Sequence, residues 1–91
     1  MTKAQETILL VDDNPTNLEV LYKTLENQGY RLLVAKDGLG ALDIIRNVQP
    51  SLVLLDVMMP EMDGFEVCQQ VKADPETAGV AIIFLSALGD V

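Results

Sequence analysis

The sequence predicts one α/β domain built on a parallel sheet, and three observations carry that expectation. Continuous apolar runs at Ile8–Val11, Leu52–Leu55 and Val80–Leu85 do not alternate with polar residues, which suits strands covered on both faces. The first two runs end in acids, Asp12 and Asp13 in one case and Asp56 in the other, and the third ends in Ser86. Stretches with helical spacing separate them, so β-α repeats three times before a last strand, the order of a right-handed parallel sheet.

Taken in order, Ile8–Val11 is a strand, and Asn14-Pro15 after its acids is a helix start, with Asn14 as cap and Pro15 in the first turn. Leu18, Leu21, Tyr22 and Leu25 recur at helical spacing, and Gly29 stops the helix, so it is expected over about Pro15 to Gln28. Arg31 to Ala35 reads as a strand that is more polar at its start and therefore at the sheet edge, with Asp37-Gly38 as the turn behind it. The second helix carries Leu42, Ile45 and Val48, with Ala41 and Ile44 beside them, and stops before Pro50. The central strand then runs to Asp56; Pro50 and Pro60 bracket it too tightly for a helix. After a loop ending in a tight turn at Asp63-Gly64, a third helix is expected near Phe65, burying Phe65, Cys68 and Val71 and leaving Glu66, Gln69, Gln70 and Lys72 to solvent. Asp74-Pro75 ends it, and Val80–Leu85 is the fourth strand.

Composition limits the function. The 91 residues are 49% hydrophobic and 22% charged, as in a globular chain, and no apolar run is long enough to span a bilayer. Fourteen acids against six bases give a net charge of −8, which disfavours nucleic acid and anionic membrane as partners and makes a cation the natural ligand. The N-terminus has no apolar signal core, so a cytoplasmic protein is expected. Cys68 stands alone and reads as a buried, reduced thiol, and Met58, Met59 and Met62 read as loop packing.

In a flavodoxin-like strand order the first and third strands are neighbours, which would bring Asp12, Asp13 and Asp56 together at their carboxyl ends, where ligands of open parallel sheets bind. Three mutually repelling acids suit a divalent cation. Mg²⁺ is the natural choice because it takes oxygen ligands and is often shared with a phosphoryl group. Asp56 could then attack a phosphoryl group, with Ser86 as a hydrogen-bond donor to it. Each residue also has a plainer role: Asp12 and Asp13 favour a helix start, worth about 0.3–1 kcal/mol, Asp56 could end its strand in water, and Ser86 could cap a helix. A calcium loop starting at Asp12 or Asp13 fails, because its sixth position is Asn17 or Leu18 and its twelfth Lys23 or Thr24.

These residues resemble the receiver domain of two-component response regulators. Ile8–Asn14 looks like the first strand and acidic pair, Leu54–Gly64 like the phosphoacceptor strand and its loop, and Ile82–Ala87 like the strand with the hydroxyl residue. The resemblance implies that Asp56 accepts a phosphoryl group from a histidine kinase or phosphotransfer protein, as an acceptor and not as a turnover enzyme. It further implies that Asp13, Asp56 and the Met58 carbonyl bind Mg²⁺ directly while Asp12 acts mainly through water, and that Ser86 moves as a switch. The family continues with a fourth helix, a fifth strand bearing a lysine and a fifth helix, so residues 1–91 are expected to be a truncated receiver, natural or engineered, with impaired phosphorylation. An incomplete sheet of four strands and three helices would expose its fourth strand as an edge and self-associate as a homodimer or larger oligomer. A self-associating assembly module without phosphorylation is the competing reading. An aspartyl phosphohydrolase fits less well, since Met58 stands where a second acid would.

Overall fold

The computed structural model describes residues 5–85. Its elements are β1 (Thr7–Val11), α1 (Pro15–Leu25), β2 (Arg31–Ala35), α2 (Gly38–Val48), β3 (Leu52–Asp56), α3 (Gly64–Ala73) and β4 (Ala81–Leu85). The strands form one parallel sheet in the order β2-β1-β3-β4, the flavodoxin-like arrangement expected, with β1 and β3 side by side in its middle.

Alternate residues of a strand face opposite sides of the sheet, and both sides here are apolar. Leu9, Val11, Val53 and Leu55 face α2 and α3, where they pack with Ala41, Leu42, Ile45, Val67 and Val71. Ile8 and Leu10 face α1 and Leu18, with Leu52 and Leu54 of β3 only half-buried beside them. Among the described residues that side has one helix against two on the other, which is why β3 is sealed on one face and partly open on the second. Within the described residues β4 is an edge, as expected, and Ile83 is 50% exposed on it.

Several boundaries differ from the sequence expectation. Helix α1 stops at Leu25, not Gln28, because Glu26 turns extended and Asn27 adopts a left-handed conformation (φ 66°) ahead of Gly29 (φ 91°). Tyr22 and Val48 are exposed at the margins of their stripes. Asp37 is not merely a turn residue: its side chain accepts from the Gly40 N–H at 2.7 Å and caps α2, which begins at Gly38. Asp63 likewise caps α3 in a reciprocal pair with Glu66, so Gly64 is the first helical residue. The buried face of α3 departs in part from the expected one: Val71 is buried as expected, but Val67 is buried in place of Phe65, which is 55% exposed with its ring 5.0 Å from that of Phe84, and Cys68 is half-buried. Strand β4 begins one residue late, Val80 belonging to the preceding turn. Lys72 is exposed, yet its ammonium donates to the carbonyls of Ala78 and Val80 at 3.0 and 2.7 Å and ties that turn to α3. Met59 and Met62 pack inward as expected, whereas Met58 points to solvent.

Gly64 sets how closely α3 approaches the end of β3. Its N–H donates to the Val57 carbonyl at 3.0 Å, and a Cβ there would press on the Asp56 carbonyl oxygen and stand 3.0 Å from the Val57 Cα. Neither obstacle is a flexible side chain. Gly64→Ala is therefore expected to cost about 1–3 kcal/mol through overpacking, read as a lower urea midpoint with an unchanged m-value; an unchanged midpoint would show that the approach is not tight.

Candidate functional site

The site forms where β1 and β3 end. Val11 is paired with Leu55, so Asp12, the first residue past β1, and Asp56, the last residue of β3, stand side by side one step beyond the β1–β3 ladder, with Asp56 still in register with Leu85 of β4. Asp13 follows Asp12 in the turn before α1. Carboxylate oxygens of Asp12, Asp13 and Asp56 lie within 4.8 Å of one another, the convergence expected from the sequence. Asp12 is 4% and Asp56 9% exposed, while Asp13 is open to solvent.

Local hydrogen bonds hold this turn. The Asn14 side chain accepts from the N–H groups of Thr16 and Asn17 at 2.8 and 3.4 Å and starts α1, with Pro15 in its first position. The Asp12 backbone N–H donates to the Ala35 carbonyl at 3.2 Å, which anchors the turn to β2. The Asp12 carboxylate accepts from the Asn14 N–H at 2.9 Å and from the Asn17 side-chain amide at 3.2 Å. On β3, Asp56 accepts from the Met58 N–H at 3.2 Å, which curls the loop back over the strand end.

Burial pushes the Asp56 carboxyl above its ordinary value; the Met58 N–H opposes this, and the charges of Asp12 and Asp13, with a hydrogen bond to Asp12, add to the rise. Asp12, Asp13, Asn14, Asn17, Val20, Leu21, Asp56, Met58, Phe84 and Leu85 line a cavity of about 540 Å³ over the cluster. No lysine or arginine is among these described lining residues, and hard carboxylate oxygens at this spacing suit a small divalent cation. Met58, predicted through its carbonyl, is at the cavity, whereas Ser86 lies outside the described residues. Sequence reasoning gave Asn17 no part in the site, and the apolar wall of Val20, Leu21, Phe84 and Leu85 was equally unforeseen. The one available signal for Asn17 was an amide in the first turn of a helix that begins directly after two acids.

The family model for the response regulator receiver domain matches residues 8–91. Among curated relatives, the DNA-binding dual master transcriptional regulator RpaA of Synechocystis sp. is 38% identical over 84 residues, covering 92% of this chain and 35% of the relative. The DNA-binding response regulator MtrA of Mycolicibacterium smegmatis is 41% identical over 90 residues, covering 99% of this chain and 38% of the relative. The chain thus spans little more than a third of the length of these regulators. Of the solved structures, the N-terminal domain of a response regulator receiver protein from Methanoculleus marisnigri superimposes with a TM-score of 0.87 at 40% identity, over 92% of this chain and 68% of that one. The receiver domain of the sensor histidine kinase PA1611 from Pseudomonas aeruginosa, with magnesium coordinated in its active-site cleft, gives a TM-score of 0.86 at 32% identity, over 96% and 71%. The chain belongs to the response regulator receiver domain family. Among the described residues, no helix is long and apolar enough to cross a membrane.

The raised Asp56 carboxyl has a defined sign for stability. Its contribution is fully present below the unfolded value of 3.8 and is lost as pH rises through the higher folded value, so ionised Asp56 opposes folding at neutral pH. Asp56→Asn without metal should therefore be more stable than the parent in urea at pH 7, with the gap closing as pH falls below the ordinary carboxylate range. A destabilised Asp56→Asn at pH 7 would contradict the assignment.

Proposed function

We propose that this chain is a phosphoacceptor: Asp56 takes a phosphoryl group from a histidine kinase or phosphotransfer protein in the cytoplasm, with Mg²⁺ at the acidic cluster. The observation that carries this reading is the convergence of three carboxylates, two of them largely buried, on a cavity whose lining, among the described residues, offers no compensating cation. Residues 8–91 match the receiver domain, and the described strands take the order β2-β1-β3-β4. Asp13, Asp56 and the Met58 carbonyl would hold the metal, with Asp12 acting through water, and Ser86 would hydrogen-bond the transferred group. When bound, Mg²⁺ supplies charge neutralisation on the phosphoryl oxygens.

Asp56 itself has one task, attack in line by a carboxylate oxygen. The new O–P bond forms as the P–N bond to the donor histidine breaks, the imidazole keeps the bonding pair and takes up a proton, and an acyl phosphate results. The Met58 N–H on Asp56 Oδ1 orients the carboxylate for that attack. Oδ2 accepts no backbone hydrogen bond among the described residues and is the oxygen we propose as the nucleophile.

A second reading, a homo-oligomer without phosphoryl chemistry, is favoured by the edge position of β4 among the described strands and the exposure of Ile83 and Phe84 on it. Native mass spectrometry after incubation with Mg²⁺ and acetyl phosphate reads both. One added phosphoryl group per chain, lost in Asp56→Asn and on chelation of the metal, is the expected result. Folded chains that gain no phosphoryl group overturn the acceptor reading, and if they also run as dimers the second reading replaces it.

A further inference from the structure

The Asp12 carboxylate is almost completely buried and lies beside two other acids, yet it has no cationic partner among the described residues. Both of its oxygens are nevertheless engaged, Oδ1 by the Asn14 N–H and Oδ2 by the Asn17 amide. The first bond is backbone geometry, and any residue except proline at position 14 would supply it. The second depends on the side chain at position 17 alone. A carboxylate only accepts, so the Asn17 amide must present its NH₂ group to Asp12.

Resting on the metal-dependent reading above, we infer that Asn17 is a positioning residue for the cation site, aiming Asp12 without neutralising it. A lysine or arginine at position 17 would also fix the carboxylate, but it would cancel charge that the cation needs. A neutral amide fixes the side chain and leaves the full negative charge in place. Helix α1 makes the placement firm: Asn17 stands in its first turn, its N–H is held by the Asn14 side chain at 3.4 Å, and Leu18 next to it is buried against the sheet. With one hydrogen bond already accepted by each oxygen, Asp12 retains lone pairs suited to hydrogen-bonding the waters of a hydrated cation. This fits a role through water in preference to direct ligation.

Mg²⁺ demands near-ideal octahedral geometry and keeps its waters, whereas Ca²⁺ tolerates loose, irregular ligand sets. Releasing Asp12 from Asn17 should therefore weaken Mg²⁺ more than Ca²⁺. The test is isothermal titration of the full chain with MgCl₂ alone and with CaCl₂ alone, comparing the parent with Asn17→Leu, which keeps the shape and removes the amide, and with Asn17→Gln, which keeps a donor. Asn17 is exposed, so both variants should fold, and Asn17→Ala serves as a further amide-free variant. The expected result is a loss of about 10-fold in Mg²⁺ affinity for Asn17→Leu, the lower end for outer-shell partners, with a smaller loss for Ca²⁺ and partial recovery in Asn17→Gln. If the parent binds Mg²⁺ and Asn17→Leu and Asn17→Ala bind it equally well, or lose both ions in proportion, the inference fails while the phosphoacceptor reading stands. If the parent itself does not bind Mg²⁺, the metal-dependent reading fails first.

Discussion

The pairing of β1 with β3 is the constraint on which the rest depends. Val11 opposite Leu55 places Asp12 and Asp56 one residue beyond the ladder on adjacent strands, which commits two acids to the same few ångströms. A slip of one residue would turn the apolar residues of either strand to the other face, so the packing that fixes the register also fixes the acids. Leu9, Val11, Val53 and Leu55 interlock with α2 and α3 in one direction only. The site is therefore a by-product of core packing, and its electrostatic cost is met by burial elsewhere.

The loops convert that juxtaposition into a shaped site. On the β1 side, Asn14 starts α1 immediately, so the chain turns away after Asp13 and leaves its carboxylate at the rim. On the β3 side, Met58 and Gly64 fold the loop back onto the strand end, and Glu61 takes a positive φ of 69° to close the turn around Pro60 and Met62. A non-glycine residue in that region is held there by its surroundings, and such backbone commonly lies beside functional sites. Together the two loops fix Asp56 as a nearly buried acid flanked by an exposed one.

Much of this was legible because a parallel sheet writes itself plainly in sequence. Strands buried on both faces appear as unbroken apolar runs, and β2 at the sheet edge showed its polar start at Arg31, so all four strands and the acids at their ends could be located. Helix faces were less legible. Positions 65, 68 and 71 and positions 64, 67 and 71 both fall at helical spacing, and only packing against the sheet shows that Val67, not Phe65, takes the core. Asp37 resembled a turn residue because aspartate before glycine serves both turns and caps, and only the chain direction after it decides between them. Asn17 escaped notice for a different reason: its partner, Asp12, is five residues away around a turn, a contact that no periodicity encodes. Ser86 lies beyond the described residues, and its role stays with the family resemblance.

The central claim is that sheet pairing forces Asp56 into a buried, acid-crowded position that a divalent cation relieves. The most direct measurement is a ¹³C NMR titration of the Asp56 side-chain carboxyl against pH, first without metal and then with saturating Mg²⁺. The account predicts a metal-free midpoint above the ordinary 3.8 that moves down when Mg²⁺ is added. A metal-free midpoint at or below the ordinary value, unmoved by Mg²⁺, would contradict it.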